Sequence, residues 1–143
     1  MNKLILKVKR LTEDAKIPIY SHPGDAGLDL FSREKVIFKT GEKFSVRTGI
    51  AVEIPDGYVG LIWDKSGLAI NHGLKTLGGV VDSGYRGEVM VGIINLSQKE
   101  YILERGSKVA QMIIQKFERV VIDESDELSE TPRGESGFGS TGK

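Results

Sequence analysis

Cysteine is absent from the 143 residues of this sequence, and neither sign of charge is in excess. Without cysteine, disulfides, thiolate nucleophiles and cysteine-ligated zinc are excluded, which suits a reducing compartment. The 20 basic and 20 acidic residues cancel, so no global field recruits nucleic acid or an anionic membrane. A polyanionic ligand would have to be held by local groups.

Long apolar runs are missing as well. No run approaches the roughly 18 residues of a membrane span, and the N-terminus lacks a signal-peptide pattern. We therefore expect a cytoplasmic protein that binds neither membrane nor nucleic acid.

Glycine, by contrast, is abundant and separates short strand-like runs. The sequence has 18 glycines, nearly twice the roughly ten expected from an average usage of about 7%. Between them lie short segments of β-branched and aromatic residues, such as 50–54, 59–63, 89–96 and 109–117. Only Ser66 to His72 favours a helical turn or two, and Trp63 is expected in the core. The pattern predicts an all-β domain, either a sandwich, a barrel or a jelly roll.

The composition changes toward the C-terminal end. From Asp123 to Glu130, five of eight residues are acidic and Leu128 alone is apolar. We therefore predict a β-barrel core over residues 1–122, followed over residues 123–143 by an acidic linker and a flexible, glycine-rich, phosphate-binding arm.

The arm carries a phosphate-binding pattern without the usual scaffold. Residues 137–143, GFGSTGK, satisfy both G-x-x-x-x-G-K and G-x-G-x-x-G, yet the helix that follows a Walker loop or a Rossmann turn is not in the sequence. Glycine N–H groups, the hydroxyls of Ser140 and Thr141, and the charges of Arg133 and Lys143 could still bind an anion. The alternative is a disordered, solubilising terminus.

Two segments near the middle of the chain place polar groups at predicted turns or strand ends. In DKSGLA, the cation of Lys65, the hydroxyl of Ser66 and the amide of Gly67 stand side by side and could bind a polyphosphate. In GGVVDSGYRGE, an apolar strand leads into Asp82, which could act as a general base or could stabilise a hairpin turn.

Two further segments each contain one polar residue among apolar neighbours. Asp29 in GDAGLDL lies between two leucines and could simply brace a turn. Gln111 in GSKVAQMII is the one uncharged polar residue of an otherwise apolar strand, and it could find hydrogen-bond partners in its own sheet or in a ligand.

The order and spacing of these segments resemble those of one enzyme family, the trimeric dUTPases. AGLDL, KSGLA, GVVDSGYRG, GSKVAQ and RGESGFGSTG stand in the five-motif order of that family across residues 24–142. The resemblance implies a jelly-roll-like, distorted β-barrel and a homotrimer with active sites shared between subunits. It also implies hydrolysis of dUTP to dUMP and pyrophosphate, with Mg²⁺ as cofactor.

The resemblance further implies roles for the reacting residues. Asp82 would be the general base for a water that attacks the α-phosphorus, and Gln111 would help to hold that water. Asp29 would bind Mg²⁺ through water. Lys65, Ser66 and Gly67 would grip the phosphates.

The implied substrate contacts fall on the hairpin and the arm. Backbone groups along Val80, Val81 and Asp82 would meet the uracil edge, Met90 would line the pocket, and Tyr85 would lie against the deoxyribose. The arm would close the site with Arg133, Phe138, Gly139, Ser140 and Thr141.

The chain also departs from the family. Asp64, Lys65 and Ser66 stand where the family usually has P-R-S, so an ammonium replaces a bidentate guanidinium and a carboxylate is added beside it. The related dCTP deaminases share the hairpin, but Gly92 occupies the place of their catalytic glutamate. A non-enzymatic jelly-roll binding module is the other alternative.

Overall fold

The structure, a computed structural model, describes residues 2–140. In that range the chain forms ten strands and one short helix. The elements are β1 (Lys7–Arg10), β2 (Leu28–Phe31), β3 (Val36–Phe38), β4 (Lys43–Glu53), β5 (Tyr58–Trp63), α1 (Ser66–His72), β6 (Leu74–Leu77), β7 (Val80–Val81), β8 (Glu88–Asn95), β9 (Tyr101–Leu103) and β10 (Lys108–Lys116).

The strands form two four-stranded antiparallel sheets and a two-stranded ribbon. The first sheet has the order β1-β4-β8-β6, the second has the order β2-β10-β5-β7, and β3 pairs with β9. Strands that are neighbours in sequence, such as β4 and β5, belong to different sheets, so the chain crosses repeatedly between them. This arrangement confirms the predicted all-β, jelly-roll-like fold.

The core lies between the two sheets. In β8, Val89, Val91 and Ile93 are buried at alternate positions, as the period-two geometry of a strand requires. They pack with large buried side chains from the other elements, among them Leu30, Phe38, Ile50, Leu103 and Met112. Burying these groups supplies the main driving force for folding, about 1.5–3 kcal/mol for each large side chain.

The helix α1 occupies the predicted position. It begins after Lys65, whose backbone is extended, and it ends at Gly73, which has a positive φ of 66°. A left-handed residue at this place is tolerated best by glycine.

Among the described residues, no helix has the length and apolarity needed to cross a membrane.

Within residues 2–140, the last backbone hydrogen bond to the barrel comes at Phe117, whose N–H donates to Gly57 O at 3.2 Å. The core boundary predicted from the sequence is residue 122. In the structure, however, Val120, Val121 and Ile122 are 75%, 94% and 85% exposed. The described part of the chain therefore leaves three consecutive apolar side chains uncovered, a pattern that favours contact with another molecule.

Candidate active site

The loop between β7 and β8, which we call the hairpin because of its tight turn from Asp82 to Tyr85, joins strands of different sheets and borders a cavity of about 230 Å³. Residues predicted to contact the base or the sugar of the nucleotide line this cavity together. They are Val80, Val81, Asp82, Tyr85 and Met90. Because β7 is an edge strand of its sheet, one side of its backbone is free of strand partners and can meet a flat polar ligand.

Tyr85 is fixed within this hairpin by its hydroxyl, which donates to Glu88 O at 2.8 Å. To reach that carbonyl, the ring crosses Gly87 so closely that a Cβ at this glycine would collide with the phenol. Arg86 closes the turn by donating to Ser83 O at 2.5 Å. The hairpin thus holds the tyrosine ring in one place at the wall of the cavity.

Asp82 follows the two-residue strand β7 and is exposed on the cavity rim. Its carbonyl accepts from Tyr85 N at 3.1 Å, which stabilises the turn through the backbone. The carboxylate remains accessible to solvent, as a base that must act on a water requires.

Glu88 supports the base of the hairpin, and sequence reasoning missed it. Its carboxylate accepts from Arg47 Nε at 3.0 Å and from Gly49 N at 2.8 Å, and Arg33 lies 3.4 Å away. Burial raises the pKa of Glu88, but the hydrogen bonds and charges of these groups outweigh it and lower the pKa. Glu88 therefore stays ionised and ties the hairpin to β4.

A second cluster gathers around Asp29, which is 1% exposed. Its Oδ1 accepts from Lys65 Nζ at 2.7 Å, and its Oδ2 lies 3.0 Å from Lys108 Nζ. The hydroxyl of Ser21 also donates to Oδ2. Sequence reasoning missed Lys108 and Ser21, although Lys108 stands three residues before Gln111 in a segment that was already singled out.

The cluster carries one net positive charge, since two ammonium groups share one carboxylate. Burial raises the pKa of Asp29, but hydrogen bonds from Lys65, Ser21 and Lys108 outweigh burial and lower the pKa to about 2. Ser66 and Gly67 are exposed at the start of α1, directly after Lys65. The cluster is therefore suited to bind an anion.

Gln111 lies in β10 opposite Asp29 of β2 and Trp63 of β5. Its Nε2 donates to Asp64 O at 2.8 Å. A carbonyl only accepts hydrogen bonds, so this contact sets which way the amide points. The Oε1 then lies over Gly27, where a Cβ would collide with it.

Asp64, the carboxylate added beside Lys65, does not face the Asp29 cluster. Its Oδ1 accepts from Thr76 N and its Oδ2 from Lys75 Nζ, both at 2.7 Å. Burial raises the pKa of Asp64, but Lys75 and Thr76 outweigh it and lower the pKa. Its negative charge is thus balanced within the protein.

The cavity and the Asp29 cluster are far apart within one chain. On β5, Val81 pairs with Gly60, whereas Gln111 pairs with Trp63 from the opposite side. Two strand spacings and three strand positions separate the backbones of Val81 and Gln111, about 14 Å, and Asp29 lies one strand further away. Asp82 and Gln111 of one chain are therefore not brought to the same water.

The arm makes its own turns but none of its hydrogen bonds in the described residues reaches the barrel. Arg133 Nε donates to Ser136 O at 2.7 Å, and Gly137 N donates to Ser140 Oγ at 2.6 Å. Phe138 has a positive φ of 49° and is fully exposed, and Gly139 follows it. Thr141, which was also predicted to contact substrate, lies outside the described residues.

The described residues contain no group of three or more histidine or acidic side chains that could enclose a metal ion. Asp29 has bonds to protein donors on both oxygens. This donor set does not suit a resident metal held by the protein alone, but it fits a hydrated ion that arrives with a polyphosphate.

The prediction that Trp63 belongs to the core was wrong. It is the last residue of β5 and is 53% exposed, and its backbone pairs with Gln111. It points away from the inter-sheet core because buried and less buried positions alternate along β5, and position 62 points inward.

The sequence matches the dUTPase family over residues 13–142. A curated relative, the deoxyuridine 5'-triphosphate nucleotidohydrolase of Clostridium kluyveri, is 48% identical over 139 residues, covering 96% of this chain and 97% of the relative.

Solved structures of the same family are also similar. The Staphylococcus bacteriophage 80alpha dUTPase with dUPNHPP has a TM-score of 0.90 and 32% identity, covering 97% of this chain and 99% of that one. A mutant dUTPase from phage phi11 of S. aureus, whose structure describes the coordination of a structural Mg(II) ion, has a TM-score of 0.80 and 30% identity. In that comparison, 86% of this chain and 97% of the phage chain are covered.

Proposed function

This chain belongs to the dUTPase family, and from that membership we propose how its residues hydrolyse dUTP. The enzyme is a dUTP nucleotidohydrolase. The observation that best supports the details is the cavity of the β7–β8 hairpin, which has the exposed carboxylate of Asp82 on its rim. The products we assign are dUMP and pyrophosphate.

Asp82 is the proposed general base. It would accept a proton from the water that attacks the α-phosphorus in line, while the bond to the pyrophosphate oxygen breaks. Gln111 of a neighbouring subunit would hold that water, with its amide orientation set by Asp64 O. Gln111 is therefore oriented before substrate arrives, which reduces the entropy that must be lost in the reaction.

Lys65, Ser66 and Gly67 are the proposed phosphate contacts. The ammonium of Lys65 already lies in a cluster of net positive charge and is partly exposed, with 29% of its side chain accessible. The negative phosphates of an incoming triphosphate would be attracted to this ammonium. Because Lys65 is already held in the cluster, binding would require little rearrangement of its side chain.

Base and sugar selection are assigned to the hairpin. The free edge of Val80 and Val81 would pair with the polar edge of uracil, and Met90 would limit the room beside it. The ring of Tyr85, held by Glu88 O, would leave no space for a 2′-hydroxyl. UTP and dTTP should therefore be poor substrates.

Mg²⁺ is the proposed cofactor, held mainly by the substrate phosphates and through water by Asp29. It would neutralise negative charge on the phosphate oxygens. The role of Asp29 follows from its position beside Lys65, in a cluster that would face those phosphates.

A homotrimer with shared sites is the proposed active form. Two observations support it: the backbones of Val81 and Gln111 are about 14 Å apart within one chain, and the arm has no hydrogen bond to its own barrel among the described residues. The cavity of one subunit would face the Asp29 cluster of a second. The arm, with Arg133, Phe138, Gly139, Ser140 and Thr141, would close over both after the linker that begins at residue 123.

The proposal is tested by measuring Mg²⁺-dependent pyrophosphate release from dUTP, dCTP, dTTP and UTP. We expect release from dUTP alone, without ammonia. Ammonia from dCTP would indicate a deaminase, and no release from any nucleotide would indicate a binding module, although the comparisons favour neither alternative. A cytoplasmic location stays a prediction.

A further inference from the structure

Asp64 connects three parts of the proposed site through three hydrogen bonds. Its carboxylate accepts from Thr76 N and Lys75 Nζ of β6, both at 2.7 Å. Its main-chain carbonyl accepts from Gln111 Nε2 of β10 at 2.8 Å. The residue itself lies between the end of β5 and Lys65, where α1 begins.

The bond to Thr76 joins the two sheets. The strand β6 is an edge strand of the first sheet, and β5 belongs to the second. An unpaired N–H at a sheet edge would normally be left to water. Here the carboxylate of Asp64 takes the place of a neighbouring strand, so the end of β5 is held at a fixed distance from β6.

The bond between Asp64 and Thr76 affects two parts of the proposed site: the Gln111 amide and the hairpin that would bind uracil. On one side, it fixes the peptide whose carbonyl orients Gln111. On the other, β6 leads through Gly78 and Gly79 into Val80 and the hairpin. The carboxylate, whose side chain is 21% exposed, uses both oxygens on protein donors and not on substrate.

We propose that Asp64 is a positioning residue for dUTP hydrolysis, one that aligns Gln111 and the Lys65–Gly67 segment with the uracil hairpin. It acts through the geometry of its bond to Thr76 N, not through its charge. The inference rests on the proposed function. It also gives a purpose to the carboxylate that stands beside Lys65, where the family usually has proline.

Two substitutions separate geometry from charge. Asp64→Asn removes the charge but keeps an oxygen at the right place to accept from Thr76 N. Asp64→Glu keeps the charge but lengthens the side chain by one methylene and displaces the oxygen. Asp64→Ala removes both the charge and the oxygen that accepts from Thr76 N. Lys75→Met removes only the ion pair with Asp64.

For the full-length enzyme, well below the unfolding temperature of each variant, we expect kcat of Asp64→Asn within about threefold of wild type. For Asp64→Glu and Asp64→Ala we expect a loss in kcat of at least about tenfold with a smaller change in KM, since misplacing groups by about 1 Å can lower the rate by up to ~10². Lys75→Met should stay within about twofold.

A second measurement does not depend on activity. The side-chain amide resonance of Gln111, assigned through its loss in Gln111→Ala, should shift in Asp64→Glu and Asp64→Ala and stay in place in Asp64→Asn. If Asp64→Ala fails to fold, the comparison of Asp64→Glu with Asp64→Asn still separates the effect of geometry from the effect of charge.

The opposite pattern, with Asp64→Glu active and Asp64→Asn impaired, would show that charge matters and would overturn the proposal. So would an unmoved Gln111 resonance in every variant. Wild-type enzyme that releases no pyrophosphate from dUTP would instead contradict the proposed function. The resonance shifts would still test the positioning role by itself.

Discussion

The ammonium of Lys65 lies 2.7 Å from Oδ1 of Asp29, while Lys108 approaches the other oxygen to 3.0 Å. Lys65, the predicted phosphate contact, is therefore held in place by the protein itself. The shared carboxylate keeps two like charges close together, and the cluster as a whole stays positive. In the proposed phosphate-binding role, this restraint of the flexible lysine stem would compensate in part for the lack of a rigid guanidinium.

The first prediction concerns acid stability. The pKa of Asp29 is lowered from 3.8 to about 2 in the folded protein, so its ionised form stabilises the fold above pH 3.8. That contribution, about 2 kcal/mol, is lost as pH falls through about 2. The unfolding free energies of wild type and Asp29→Asn should therefore differ at pH 6 and converge by about this amount near pH 2. Denaturant unfolding of both proteins without Mg²⁺ at each pH measures this difference in unfolding free energy. A difference that does not change with pH would contradict the prediction.

The second prediction concerns Asp82. Asp82→Asn should lower kcat for dUTP by about 10²–10⁴, as expected for loss of a general base. The fold should be unaffected because the side chain is exposed. Steady-state kinetics and binding of a non-hydrolysable dUTP analogue check both parts. Near-normal turnover in this variant would refute the assignment.

Lys65 gives a third prediction. Lys65→Ala removes a charge-assisted phosphate contact, so kcat/KM should fall by about 10–100-fold. Lys65→Arg should retain or raise activity. Lys75→Met is the matched control, because that lysine is salt-bridged to Asp64 and not to Asp29. If the alanine variant equals wild type, the phosphate clamp must lie elsewhere, for example at Arg133.

The fourth prediction uses two glycines of one hairpin. A Cβ at Gly87 would collide with the Tyr85 ring, whereas a Cβ at Gly84 meets nothing within 4 Å. Gly87→Ala should therefore displace the ring and raise UTP hydrolysis relative to dUTP by about tenfold. Gly84→Ala should keep the wild-type ratio. Equal ratios in both variants would remove Tyr85 from sugar discrimination.

The fifth prediction tests the shared site. Neither Asp82→Asn trimers nor trimers truncated after Glu130 should be active, since one lacks the base and the other the arm. When the two are unfolded and refolded together, about a quarter of sites should receive both from different chains, for random mixing in a closed three-fold ring. No recovery, with mixed trimers shown to form, would mean that both groups come from one chain.

Much of the fold was predictable because its signals are local. The glycine-punctuated run 59–63 lies within β5, the run 50–54 marks only the end of the longer strand β4, and the short helix at Ser66–His72 formed where it was expected. Trp63 was misjudged because apolarity alone does not say which face of a strand a residue occupies. That face depends on which residues, here Gly60 and Ile62, point inward.

The site was predictable in its polar residues but not in their partners. Asp29, Lys65 and Asp82 stand out in the sequence, yet Lys108 and Glu88 act through contacts with residues far along the chain. Such pairs depend on which strands become neighbours. The distance of about 14 Å between the backbones of Val81 and Gln111 follows from strand order and register, and no single segment of the sequence contains that information.

The exposed tryptophan at the end of β5 has a practical consequence. Trp63 is the one indole of the chain, and it stands beside Asp64 and opposite Gln111. Its fluorescence therefore comes from a single known position at the edge of the Asp29 cluster. If nucleotide binds at the proposed site, a stopped-flow trace of the unlabelled enzyme should report its arrival and the departure of product, with no dye to disturb either step.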